Sequence, residues 1–299
     1  MSAAPVIRSR SLELMPGVQL NVHAVCGPQG SVLIDTGIAS MRPQVLDLCA
    51  EAQRVAPLRF VLLTHIHADH IGCNRAVWEA TAVPFAAAGA IPWAEDLERH
   101  YREFCVTDAL PDSPGQRREI MSLMDGPVPI QLLLVEGNRF FLGGGVELET
   151  IAFPGHKLEE VGFLEARTGT LILGDVLLAL AAPFFHGFQT ATGFAASLTR
   201  LEDLLASGRV QQVRTSHHPP MSPEGALQAA QQTRQALEEV RVATLEAARG
   251  VTFEALWREV SRRLGRQAEF RGYATLRAQV GELVGAGELR RDGPLILRS

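Results

Sequence analysis

The chain has 299 residues, 46% of them hydrophobic and 20% charged, with a net charge of −5. That length holds one large domain or a large and a small one, and the composition is that of an ordinary water-soluble globular protein. The acidic balance argues against a general nucleic-acid coat protein while leaving room for a local basic patch. The basic residues are almost all arginine; Lys157 is the only lysine, which codon bias explains. The four cysteines form no CxxC pair and no disulfide-like pattern, and Cys73 reads as a buried small thiol. No signal-peptide run and no membrane-length apolar stretch is found, so the expectation is a cytoplasmic protein with no membrane partner.

In chain order, residues 18–25 and 30–37 read as strands joined by a tight turn at 27–30. Asp35 ends the second. Its chemistry fits two roles equally: orienting a metal-binding loop, or capping the helix that starts near Pro43. Residues 42–54 follow as a helix, with Val45, Leu46, Leu48 and Cys49 on its apolar side. The apolar strand 58–63 then runs into Thr64-His65-Ile66-His67-Ala68-Asp69-His70-Ile71-Gly72. Imidazole and carboxylate are the usual ligands of Zn and Fe. In extended backbone His65 and His67 project to one side, and Asp69 and His70 can face a second metal from the turn. A helix over 71–80 and a strand over 82–87 complete a β-α-β-α-β alternation, which predicts an α/β core.

Residues 89–129 interrupt that rhythm with two helices, 93–104 and 115–124, and read as an insertion over the active-site edge. Trp93, His100, Tyr101 and Phe104 recur at helical spacing and are read as packing. Strands follow at 130–135, 138–142 and 146–153, the last leading into Pro154-Gly155-His156. The hairpin 161–166/170–173 ends in Gly174-Asp175, and the apolar stretch 177–188, which includes His186, could line a pocket. A helix at 195–206 and a strand at 210–214 lead to Thr215-Ser216-His217-His218.

The four groups of polar residues each follow a strand, and in layered α/β folds such loops converge along one sheet edge. The predicted ligand set is His65, His67 and His156 for one metal, and Asp69, His70 and His217 for another. Asp175 can bridge them, and two bridged metals make a hydrolytic centre. Beyond, helices at 224–248, 253–264 and 273–284 and a hairpin at 288–297 read as a winged-helix-like unit. Arg262, Arg263, Arg266, Arg271 and Arg277 give it a basic tilt. Glu254, Glu259, Glu269 and Glu282 dilute that charge, so nucleic-acid binding is not favoured. The predicted domains are 1–222 and 223–299.

The His65–Gly72 motif, Leu33-Ile34-Asp35-Thr36-Gly37, Pro154-Gly155-His156, Leu173-Gly174-Asp175 and His217 resemble the motifs of the metallo-β-lactamase superfamily, in order, over about residues 12 to 220. The resemblance implies an αββα four-layer sandwich with a dinuclear site at one edge and a small C-terminal winged-helix-like domain. It implies that Asp35 supports the metal loop, and it alone selects His217 over His218 as ligand, leaving His218 to a supporting or substrate role. An aspartate bridge without a cysteine ligand is similar to the glyoxalase II, lactonase and ribonuclease relatives rather than to the antibiotic-degrading lactamases. Many relatives continue after the His156 position with Thr or Ser and then Pro-Gly, whereas this chain has Lys157-Leu158-Glu159-Glu160. Lys157 is therefore either a substrate-anion contact, with His186 as a further candidate contact, or a solvated lysine paired with Glu159 or Glu160, the preferred reading. The expectation is a hydrolase with two Zn2+ ions, Fe or Mn being alternatives, acting on a small thioester ahead of a lactone. Asp69 is read as the catalytic carboxylate. A phosphodiesterase acting on single-stranded RNA is the alternative, and a purely regulatory role is opposed by the complete ligand set. A homo-oligomer is compatible with all of these.

Overall fold

The computed structural model describes residues 6–15, 18–177, 185 and 187–299. Two sheets face each other, and helices cover both outer surfaces. The first sheet has six strands in sequence order: β1 (Val6–Met15), β2 (Val18–Cys26), β3 (Ser31–Ile34), β4 (Leu58–Leu62), β5 (Phe85–Ala87) and β6 (Leu132–Leu133). β1, β2 and β3 pair antiparallel, whereas β3 to β6 run parallel. The connections between parallel strands carry α1 (Arg42–Val55), α2 (Ala68–Ile71), α3 (Asn74–Thr81), α4 (Ile91–Glu95), α5 (Leu97–Cys105) and α6 (Pro114–Met121). The second sheet runs in the order β11 (Gln212–Thr215), β10 (Thr170–Leu173), β9 (Val161–Glu165), β8 (Val146–Ala152), β7 (Arg139–Gly143), and α7 (Ala191–Ala206) links β10 to its parallel neighbour β11.

Strand alternation deals the side chains into separate layers. Val32 and Ile34 of β3, Leu62 of β4, Val161 and Phe163 of β9 and Ile172 of β10 form the core between the sheets. Their neighbours Leu33, Val61 and Leu63 face outward into a second core with Val45 and Leu48 of α1. Leu164, Leu171 and Leu173 face the opposite way, into a third core.

That third core does not stop at α7. It continues through α8 (Pro223–Ala247), α9 (Phe253–Arg263), α10 (Phe270–Gly285) and the hairpin β13 (Leu289–Asp292)/β14 (Leu295–Arg298), in which Leu237, Trp257, Leu276 and Ile296 are buried. Side-chain caps start α8 and α9: the Ser222 hydroxyl accepts from Gly225 N–H and the Thr252 hydroxyl from Ala255 N–H. Their order, with the short strand β12 (Arg249–Thr252) joining the hairpin, is helix–strand–helix–helix–strand–strand.

Several elements differ from the sequence reading. β1 and β12 are additional strands; Gly250 sits within β12 at φ +76°. The helix read at 93–104 is two helices, because Asp96 is extended and its carboxylate caps α5 by accepting from Arg99 N–H. The helix read from Ile71 is interrupted between α2 and α3. The strand read at 130–135 pairs over Leu132–Leu133 only.

Candidate metal centre

The parallel register of β3 and β4 brings their ends side by side, so Asp35 and the Thr64–His70 turn emerge together. Asp35 is buried, and its backbone lies in the left-handed region at φ 58°. Its Oδ1 accepts from Thr64 N–H at 2.8 Å, and its Oδ2 accepts from the Thr64 hydroxyl at 2.8 Å and from His70 Nδ1 at 2.9 Å. The last bond fixes the His70 tautomer and presents Nε2 to the site. Gly72 lets this turn seat itself: a Cβ there would overlap the backbone of Gly37, Ile38 and Leu123.

β8, β10 and β11 deliver the remaining residues from the second sheet. His156 Nδ1 donates to Gly187 O at 2.6 Å and His217 Nδ1 to Gln19 O at 2.8 Å, which leaves both Nε2 lone pairs facing inward. His67 Nδ1 lies 3.1 Å from His65 Nε2 and 2.9 Å from His156 Nε2. A tetrahedral Zn with bonds of about 2.0–2.1 Å holds two nitrogens about 3.3 Å apart, so this trio needs only a small expansion to take one. The second trio is Asp69, His70 and His217, with His217 Nε2 3.5 Å from Asp69 Oδ2. Asp175 lies between the trios. Its Oδ1 is 3.3 Å from His70 Nε2 and 3.4 Å from His217 Nε2, and its Oδ2 is 3.4 Å from His156 Nε2.

Among the described residues, His70 Nε2 and Asp175 Oδ1, both facing the site, are buried without a hydrogen-bond partner. A buried polar atom left unpaired is costly, so the arrangement fits a bound cation. The electrostatics agree. Burial opposes a charged imidazole, yet Asp175 and Asp69 hold His217 up to about 10, and Asp35, Asp175 and Asp69 likewise hold His70 well above its usual range. The carboxylates favour positive charge between them. Burial and neighbouring imidazoles keep His65 and His67 neutral, the state in which nitrogen can ligate.

All seven candidate ligands converge, and Asp35 sits beneath them. His218 turns away: its Nε2 meets Leu177 O at 3.1 Å. His186 lies outside the described residues. Lys157 is 2% exposed, so it is not the solvated side chain the sequence suggested. Its ammonium lies 3.3 Å from Glu159 and 3.9 Å from the centre of the Trp93 ring. Burial lowers its pKa, and Glu159 opposes that shift.

A cavity of about 810 Å³ opens over the centre, reached by His67, Asp69, His156, Asp175 and His217. The insertion and α10 wall it. Phe104 stacks on His67 with ring centres 4.6 Å apart, and Phe270 meets the edge of Phe104 at 5.0 Å. Trp93 and Phe104, read from the sequence as packing, both line the cavity. The contribution of α10 had no local signal; its apolar periodicity marks a buried face without saying what that face covers. Three bonds hold α10 in place: Glu282 accepts from the Thr190 hydroxyl at 2.7 Å, from Thr192 N–H at 3.0 Å and from the Thr192 hydroxyl at 2.9 Å. Gly272 packs on Phe185, where a side chain would collide with the ring. The basic residues of the module are largely paired, Arg262 with Glu259, Arg263 with Glu259 and Glu246, and Arg271 with Glu269.

The profile of the metallo-beta-lactamase superfamily matches residues 15–210. A metallo-beta-lactamase family protein from Thermus thermophilus superposes with a TM-score of 0.75 at 21% identity, covering 98% of each chain. A beta-lactamase domain protein from Burkholderia ambifaria gives 0.68 at 19% identity, covering 96% of this chain and 93% of that one. Among curated sequences, a hydroxyacylglutathione hydrolase from Cereibacter sphaeroides is 31% identical over 135 residues, 44% of this chain and 39% of that protein. An uncharacterized Bacillus subtilis protein, YobT, is 26% identical over 158 residues, 52% of this chain and 61% of that one. The matches thus span less than two thirds of either curated relative.

Proposed function

The chain belongs to the metallo-beta-lactamase superfamily, and from that premise we propose that it is a metal-dependent hydrolase that cleaves a thioester at a dinuclear Zn centre. The observation that carries this reading is the pair of ligand trios joined by Asp175 beneath a cavity with a largely apolar wall. His65, His67 and His156 would hold one ion and Asp69, His70 and His217 the other, with Asp175 shared. Bound there, the ions would supply an ionised water and polarise the carbonyl oxygen at neutral pH.

The chain's own residues do the rest. Asp69 lines the cavity and keeps part of its carboxylate exposed, so it can orient the attacking water. The new C–O bond forms as the C–S bond breaks, and the proton passes to the leaving sulfur or to solvent. A thiolate leaves without prior protonation, which suits a site whose imidazoles are all committed as ligands. Phe104, Phe188 and Phe270 offer the acyl group an apolar wall and limit the entry of water. The partial likeness to a hydroxyacylglutathione hydrolase supports carbonyl chemistry. The seating of α10 against the hydrolase layers, and the pairing of the module's arginines, favour a small molecule over RNA.

The test is turnover by Zn-loaded protein of an acyl-glutathione and an acyl-coenzyme A thioester beside single-stranded RNA, with Asp69→Asn as the contaminant control. Thioester cleavage that disappears in the control is expected. RNA cleavage that disappears in it, with no thioester turnover, would overturn the reading.

A further inference from the structure

The cavity holds more than its reacting end. Two cations line it, Arg271 and Arg277, both from α10. Arg271 is engaged, with its guanidinium 2.7 Å from Glu269 and its charge over the Phe270 ring. Arg277 is exposed, and among the described residues it makes no hydrogen bond or ion pair. The acidic side chains along the same wall do not answer it. Glu103 is taken by Trp93 Nε1 at 2.6 Å and by Arg99 at 2.7 Å, and Asp108 forms no ion pair with Arg277.

The position of Arg277 along the wall is set by the helix. The Phe270 ring meets Phe104, which stacks on His67. Arg277 follows two turns later, about 10 Å along the axis at 1.5 Å per residue. Apolar residues of the same helix, Tyr273, Ala274 and Ala278, line the cavity around it. The volume, about 810 Å³, exceeds what a two- or three-carbon acyl group needs and falls in the range of sites for drug-sized ligands. The wall therefore presents a reacting end, an apolar middle and a positive charge that no described residue answers.

We propose that the substrate is an amphiphilic anion. Its apolar body lies along α10, and its carboxylate, sulfonate or phosphate is received by Arg277 on the cavity wall. The proposal rests on the hydrolase reading for the location of the chemistry and adds the substrate class. It moves anion recognition away from Lys157, whose charge is already spent on Glu159 and Trp93.

The test uses two dyes with one aromatic body. 8-Anilinonaphthalene-1-sulfonate carries a sulfonate; N-phenyl-1-naphthylamine is its neutral counterpart. Dissociation constants for both are measured by fluorescence on full-length, Zn-loaded wild type, Arg277→Gln and Arg277→Lys. A charge-assisted contact of this kind predicts that Arg277→Gln lowers the sulfonate-over-neutral preference about tenfold or more and that Arg277→Lys restores most of it. An unchanged preference in Arg277→Gln would overturn the proposal. So would an equal loss in both variants, since the charge would then not be what is read. Dye binding requires no turnover, so failure here and failure of the thioester reading are separate results.

Discussion

Asp35 offers a substitution in which one proton decides the outcome. Asparagine tolerates the left-handed backbone that Asp35 adopts at φ 58°, so Asp35→Asn carries little conformational cost. It replaces a carboxylate that accepts from three donors with a group that has one acceptor and one donor end. If the amide oxygen takes the Oδ1 position, the NH2 points at His70 Nδ1. The ring must then carry its proton on Nε2, the atom proposed to bind metal. If the oxygen takes the Oδ2 position, the NH2 meets Thr64 N–H head-on where the carboxylate bond had been 2.8 Å. A buried donor left unpaired costs about 1–3 kcal/mol. The protein must choose between the wrong tautomer and that penalty, and either route weakens the Asp69–His70–His217 site. Loss of such a supporting hydrogen bond lowers metal affinity about 10–100-fold. The assay is chelator competition with metal content read by atomic emission, alongside circular dichroism to show an intact fold. One ion retained tightly and one weakened by that factor is the expected result. Two ions held with wild-type affinity would refute the tautomer argument.

Two further predictions follow from contacts away from the ligands. Glu282→Ala removes three hydrogen bonds between α10 and the start of α7, and should lower stability by about 1–3 kcal/mol in denaturant unfolding while weakening binding of the anilinonaphthalene dyes. His23 is buried beside Arg214 and burial lowers its pKa to about 4, so the folded state holds it neutral. Its contribution is fully present above the unfolded value of about 6.5 and is lost as pH falls from there toward about 4, amounting to about 3 kcal/mol. In the Zn-loaded protein, His23→Gln should flatten the stability–pH curve over that window; an unaltered slope would show that His23 is not responsible.

The convergence of the candidate metal residues was legible because each group follows an apolar strand, and strand ends in a layered α/β fold meet at an edge. The same pattern could not separate His217 from His218. The chain leaves β11 in irregular backbone there, and the hydrogen bond to Gln19 turns one ring inward while Leu177 takes the other. Lys157 misled for a related reason. A lysine beside two glutamates reads as a surface pair, and nothing nearby in sequence announces that Trp93, from the insertion, covers it. β1 was overlooked because its alternation carries arginines on one face. Arg8 and Arg10 are paired with Glu51 and Asp47 of α1, a partnership that a local window does not contain. The cavity wall was the least legible part, since α10 reaches the site through the third core rather than along the chain.

That wall also sets an order in time. The last proposed ligand is His217, and the helix that closes the cavity begins at Phe270. During synthesis the chain proceeds from the N-terminus, and segments can order as they emerge. The residues proposed as ligands are synthesised before the helix proposed to receive the substrate.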